Sequence, residues 1–416
     1  MSLLDKASII ITPNGVKATK LYAYKPDNGN GDMTWTCGAG TRRNVVGLLE
    51  SMAANTPRIN YPINGGCPVI LLEPQRTNLL TYSEDFNGAI WNNFRSSDSY
   101  GTTISPDGSV NATSLIEDST ASATHVIRGN VAKSAVSLKY TVSIYVKANT
   151  RSKINLNLQS GSISNRSFAT FDLLSGTVSN ETNQGTFSEG SASMVDEGNG
   201  WYRCIISALS DTDTQINTRI ELNDGSGVSY NGDGVSSVYI WGAQLEQRDY
   251  PTTYKLANGS TVTRLKDVGD RDDIYTNGLL TAIGGSWLVE LTDNTVKTRD
   301  AVGGGLTLDT NTGGKTNGLE ISNTNGTDRF SLSKYIATVL TTLYTTTTDD
   351  CKVLFNWDGV LLDIYENGVL VVTAEPFTIT AMEFLQLNCI DQTYSIKQNI
   401  IGEPLTNSEA IQISTI

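Results

Sequence analysis

Apolar residues alternate with polar ones along much of this chain, in short runs broken by turn residues. In "YTVSIYVKA" (140–148), Val142, Ile144 and Val146 fall on one side and Ser143, Tyr145 and Lys147 on the other. That is the period of a strand with one buried face. "SKINLNLQS" (152–160) repeats it, with Ile154, Leu156 and Leu158 facing inward. "FATFDLLSGTV" (168–178) reads as two short strands about a Ser-Gly turn, and "GWYRCIISAL" (200–209) and "VYIWGAQLE" (238–246) as two more. The turn clusters "NDGSG" (223–227) and "YNGDG" (230–234) punctuate them. Over 71–264 this spacing predicts a β-sandwich of the jelly-roll type.

A second series of strands is predicted from 265 to 416: "GSWLVELTD" (285–293), "GGLTLDT" (304–310), "NGLEISN" (317–323), "KVLFNWDG" (352–359), "VLLDIYENGVLVVTA" (360–374) and "FLQLNCI" (384–390). Asn367-Gly368 splits the fifth into a hairpin, because both turn positions favour positive φ. "PLTNSEAI" (404–411) offers a capped start for a short terminal helix. Residues 1–70 show little period. "ASIIITPNG" (7–15) predicts one strand, and "NVVGLLESMAAN" (44–55) predicts a helix with Leu48, Leu49 and Met52 near one face and Asn55 at its C-cap. So little apolar content would not fold alone, so this segment is expected to dock on a neighbouring domain, another chain or a particle. The expected fold is mainly β: two tandem β-sandwiches, 71–264 and 265–416, after a short irregular N-terminal segment.

Composition supports the all-β reading. Only 38% of the 416 residues are hydrophobic and 18% charged, and Gly, Ser, Thr and Asn make up the difference, as in turn-rich strand proteins. The net charge of −13 repels a phosphate backbone, and no basic run offsets it, so no nucleic-acid partner is expected. No 18-residue apolar run occurs, so no membrane insertion is expected. The five cysteines are odd in number, widely spaced and form no CxxC pair; small buried thiols are expected, without a zinc site or disulfide framework.

The chemistry-bearing residues are sparse. A nucleophilic triad would need His125, the lone histidine, and no G-x-S-x-G elbow accompanies it; His125 is expected as a half-exposed strand residue. The carboxylates of "DVGDRDD" (267–273) read as solvated linker charge, although a glycosidase needs only two. "DGSGVSYNGDG" (224–234) has oxygen ligands and glycines suited to a structural Ca²⁺, without EF-hand spacing; otherwise no cofactor is expected. Trp91, Trp201, Trp241, Trp287 and Trp357 could each stack on a sugar ring. Trp201 and Trp241 lie among inward aliphatics, which leaves Trp357, at a strand end, as the carbohydrate-binding candidate. In "LLEPQRTNLLTYSEDFNGAIW" (71–91) the polar cluster has apolar residues on both sides. It reads as a structural seam, with Arg76 and Asn78 satisfying buried backbone groups.

Several lines between 58 and 264 form an ordered set: "RINYPINGGCPVILLEPQRTNLLTYSEDFNGAIW" (58–91), "PDGSVNATSLIED" (106–118), "YTVSIYVKA", "FDLLSGTV", "GNGWYRCIIS" and "VYIWGAQLEQRDYPTTYKLANGSTVTR" (238–264). The set resembles a module of tail, fibre and other virion proteins of tailed bacteriophages. Arg248 and Asp249 depart from it in a loop where a glycine is common. Residues 266–416 resemble, more loosely, a laminin-G or concanavalin-like sandwich, through "IYENGVLV" and "PLTNSEAI". The resemblance implies a virion protein of a tail fibre, baseplate or head fibre, with other virion proteins as partners. It also implies a homotrimer, a carbohydrate-binding-like fold and a bacterial surface glycan as ligand. It implies a structural or adhesive role, and no enzymatic activity is expected; the alternative is a carbohydrate-active enzyme on host polysaccharide.

Overall fold

A computed structural model of the protein describes residues 3–281, 283–292, 305–310, 315–323, 329–348, 350–379, 381–389 and 394–415. The chain divides into two compact units: Met1–Arg42, Ser51–Gln75 and Leu265–Ile416 form the first, and Arg43–Glu50 with Arg76–Arg264 form the second. Each is a β-sandwich of antiparallel sheets, so the protein is mainly β.

In the first unit, among the described residues, one sheet runs in the order Val369–Pro376, Leu361–Glu366, Cys351–Trp357, Gly285–Thr292, Tyr394–Gly402, Val69–Leu72, Arg58–Asn60, with Ala7–Ile11 also on Tyr394–Gly402. The facing sheet has Met33–Thr36, Val268–Arg271, Phe384–Asn388 and Leu306–Asp309 at its centre. Between them Ile9, Ile11, Trp35, Ile70, Trp287, Phe355, Leu385 and Leu387 share one core, each large side chain contributing about 1.5–3 kcal/mol by leaving water. The hairpin turn at Asn367 (φ 48°) and Gly368 (φ 80°) lies between Leu361–Glu366 and Val369–Pro376. The terminal helix, Asn407–Ser414, starts at Thr406 in a capping box with Glu409.

Three expectations are corrected here. Residues 1–70 are not an irregular segment: Ala7–Ile11 pairs with Tyr394–Gly402, and Met33–Thr36 with Val268–Arg271. Strands of two to five residues are too short to show a period, and these partners of Ala7–Ile11 and Met33–Thr36 lie hundreds of positions away. Nor is "DVGDRDD" linker charge. Val268–Arg271 is a strand inside a sheet, and Asp267 is sealed from solvent. The helix over 44–55 is a strand–turn–strand instead, with strands Gly40–Arg43 and Leu49–Met52. Asn44 Oδ1 accepts from the Val46 and Leu48 amides, and Gly47 takes φ 85°. A turn that satisfies its own backbone groups competes with a helix nucleus.

The second unit has two six-stranded sheets. One runs Ser96–Thr103, Ala112–Glu117, Ser237–Glu246, Lys139–Ala148, Trp201–Leu209, Ser188–Gly198; the other runs Trp91–Phe94, Val126–Ala132, Gln215–Asn223, Lys153–Gln159, Arg166–Asp172, Thr177–Gln184. Val142, Ile144 and Val146 from the first meet Ile154, Leu156, Leu158 and Ile220 from the second in a common core. On the outer side of the first sheet, Tyr145, Trp201, Trp241 and Tyr254 form a separate aromatic cluster.

Candidate functional site

The outer side of the second sheet is left to polar groups. Because Leu156 and Ile220 point inward, their strand neighbours point out. The cross-strand register then lines them up in rows. One row reads Arg128, Arg219, Asn157, Phe168, Thr182; the next reads Asn130, Asn217, Gln159, Arg166, Gln184. On the other flank lie Glu221, Asn155 and Thr170.

These side chains hold one another in place. Arg219 donates from Nε and Nη2 to Glu221 Oε1 at 3.1 and 2.7 Å. Asn155 Oδ1 accepts from Asn223 at 3.0 Å and from Thr170 at 3.1 Å. Arg166 donates to Gln184 Oε1 at 2.9 Å and to Asn157 Oδ1 at 3.3 Å, and its guanidinium lies over the Phe168 ring, 4.5 Å from the centroid. Burial lowers the pKa of Arg166, with Glu221 opposing that effect and Arg219 adding to it.

The ladder is incomplete. Asn157 Nδ2, Gln159 Oε1 and Asn217 Oδ1 are buried and have no hydrogen-bond partner among the described residues; the three residues are 0%, 4% and 5% exposed. A buried amide group without a partner costs about 1–3 kcal/mol. Three such groups on adjacent positions of one pinned face suit a ligand rich in hydroxyls, which both donate and accept.

At the end of this face, Asn165, next to Arg166, lines a cleft of about 520 Å³ with Ser137, Thr186, Ser210, Asp211, Thr212 and Asp213. Asp211 Oδ2 accepts from Asn165 at 3.1 Å and Thr186 at 3.3 Å. Hydroxyls, an amide and two carboxylates line this cleft.

The residues singled out from the sequence lie elsewhere. Trp357 is 1% exposed, so its expected role as a sugar platform is corrected. Its ring fills the first core, edge-on to Phe377 and against Gly285, where a Cβ would come within 2.6 Å of it. All six tryptophans are buried. Asn78 does satisfy buried backbone: it accepts from the Leu80 and Leu245 amides and donates to the Lys255 carbonyl. Arg76 donates to Tyr250 Oη at 3.0 Å and lies over that ring. His125 is fully buried, not half-exposed, with Nδ1 2.8 Å from the Arg95 carbonyl. In 224–234, where Ca²⁺ was the expectation, Asp224 and Asp233 accept from the backbone amides of their own turns. Among the described residues no group of three or more His, Cys, Asp or Glu could hold a metal ion.

The polar face was missed because only the inward half of "SKINLNLQS" was read. Its signal is in the other half. Asn155, Asn157 and Gln159 repeat at period two, as do Asn217, Arg219 and Glu221 in "INTRIEL", where Ser, Thr and Lys are the ordinary solvent-facing choice.

No protein-family profile matches the chain, and no curated protein matches it. Among solved structures it is similar to a Trypanosoma rangeli sialidase in complex with 2,3-difluorosialic acid, as the covalent intermediate. The two are 8% identical, over 92% of this chain and 77% of that one, with a TM-score of 0.28. A likeness of that size settles neither fold nor chemistry. The expectation that this chain is no enzyme is not carried further.

Proposed function

We propose that this chain is a structural component of a tailed-bacteriophage virion whose second unit attaches to a glycan on the host surface. The virion assignment is supported by the ordered motifs between 58 and 264. The attachment role is supported by one observation above the others: the buried Asn157 Nδ2, Gln159 Oε1 and Asn217 Oδ1 atoms, without a partner among the described residues, on a face where hydrogen bonds hold Arg166, Arg219, Glu221, Asn155 and Thr170. Preorganised polar groups bind hydroxyls without first losing rotamer freedom. Because residues 3–42 and 51–70 are woven into the first unit, docking to the particle and to partner copies in a homotrimer falls to that unit as a whole rather than to a free N-terminal arm.

A bacterial glycan array probed with the full chain tests the attachment role. The expected result is binding that is lost in the double variant Asn157→Ala, Gln159→Ala. A blank array from a folded chain would overturn it. Antibody against the chain, applied to intact tailed particles, tests the virion assignment; particles of the phage encoding it that stay undecorated would refute it.

A further inference from the structure

The charges on the polar face do not balance locally. Lys153 pairs with Asp172 at 3.1 Å, and Arg219 pairs with Glu221 at 2.7 Å. Arg166 and Arg128 are left without a carboxylate among the described residues, in a chain whose net charge is −13. Arg166 is the more telling of the two. It is half-buried, and two of its donors go to the neutral oxygens of Gln184 and Asn157. A guanidinium offers five N–H donors in a planar fork, so three have no acceptor among the described residues. Beside it stands the Asn157 Nδ2 donor, without a partner among the described residues, and the exposed Arg128 lies three strands further across the same face.

From this juxtaposition we infer that the face takes an acidic polysaccharide, a hexuronate polymer whose carboxylate seats on Arg166 while its hydroxyls meet Asn157, Gln159 and Asn217. The inference rests on the glycan-binding reading above and adds the ligand's charge to it. Two features support a polymer of this kind. The face crosses five strands from Arg128 to Thr182, roughly 19 Å at the usual strand spacing, enough for several sugar units in a row. The oxygen ligand that a guanidinium holds best is a planar carboxylate, by paired N–H···O bonds. Burial already lowers the Arg166 pKa, so its charge is held at a cost that an incoming carboxylate relieves.

The test uses the full chain and three hexuronate polymers (hyaluronan, alginate and polygalacturonate), each beside its carboxyl-reduced counterpart with the same linkages. Binding of at least one acidic member and not of its reduced partner is expected. That binding should fall with added salt and weaken about tenfold in Arg166→Gln, the loss of one charge-assisted contact. Arg128→Gln, which removes an exposed charge and no packing, should weaken it less, and thermal melting controls for folding of both variants. Equal binding of acidic and reduced members overturns the charge assignment and leaves the glycan reading standing. No binding of any of the six polymers overturns the charge assignment, and the array described above then decides separately whether the glycan reading survives.

Discussion

Arg58 and Asp267 stand 209 positions apart in the chain and form an ion pair inside the first unit, with side chains 1% and 0% exposed. Glu73 accepts from the same guanidinium. Burial by itself lowers the Arg58 pKa, but Asp267 and Glu73 more than offset it and hold the guanidinium above its usual value. Removing Arg58 strands two carboxylates in the interior. Arg58→Ala should therefore cost about 3–5 kcal/mol, read by denaturant unfolding of the first unit. Lys139→Ala, which breaks a pair with the exposed Glu189, should change stability by less than about 1 kcal/mol. Equal effects would mean that the buried pair does not staple the early strands to the late ones.

Asn78 is a second staple, inside the second unit. It is fully buried and closes five contacts: the amides of Leu80 and Leu245, the Ser83 hydroxyl and the carbonyls of Lys255 and Ala243. Each buried partner left unsatisfied costs about 1–3 kcal/mol. Asn78→Ala should therefore lower the second unit's unfolding midpoint sharply, and Ser83→Ala, which removes one member, should lower it less. Midpoints that do not separate from wild type would show that water replaces the amide.

How much of this was legible follows from range. The strands Lys139–Ala148 and Lys153–Gln159 show their period within ten residues, and Asn367-Gly368 marks its hairpin locally. The capping box of Thr406 and Glu409 likewise spans four residues. By contrast, the strand Ala7–Ile11 is defined by Tyr394–Gly402, and Arg58 by Asp267. No local pattern encodes such partners, so the first unit looked like a tail followed by a sandwich. Trp357 failed for a related reason. "NWDG" does end a strand at Trp357, but whether a strand end is open depends on what packs over it, here Gly285 and Phe377. The polar face was legible in part, because alternation told which residues point out; that one polar atom on each of three of them lacks a partner among the described residues depends on the register across strands.

Trp357 and Phe168 should separate stability from binding. Truncating the buried indole, Trp357→Ala, should cost about 3–5 kcal/mol and leave the glycan affinity of the folded fraction unchanged. Phe168 is half-buried and carries the Arg166 guanidinium. Phe168→Ala should weaken glycan binding several-fold through the mispositioned arginine, with a much smaller loss of stability. Melting curves and glycan titrations on both variants check this. A Phe168→Ala variant that binds as wild type would remove the arginine shelf from the site.

The terminal helix carries a pH-dependent tie. Glu409 Oε2 lies 2.7 Å from Lys6 Nζ and also accepts from the Thr406 amide and hydroxyl. The Lys6 bond first, then the Thr406 amide and hydroxyl, hold the Glu409 pKa at about 2, below the ordinary value of about 4.3. A folded value below the unfolded one means the unfolded chain binds the proton more readily as pH falls. The stabilisation is therefore fully present above about pH 5 and is lost as pH drops towards 2. Hydrogen exchange should show the amides of Asn407–Ser414 losing protection across that window. Glu409→Gln keeps a capping oxygen but has no charge to titrate, so it should start less protected at neutral pH and show a flatter profile on acidification. An acid profile parallel to wild type in Glu409→Gln would place the tie on another carboxylate.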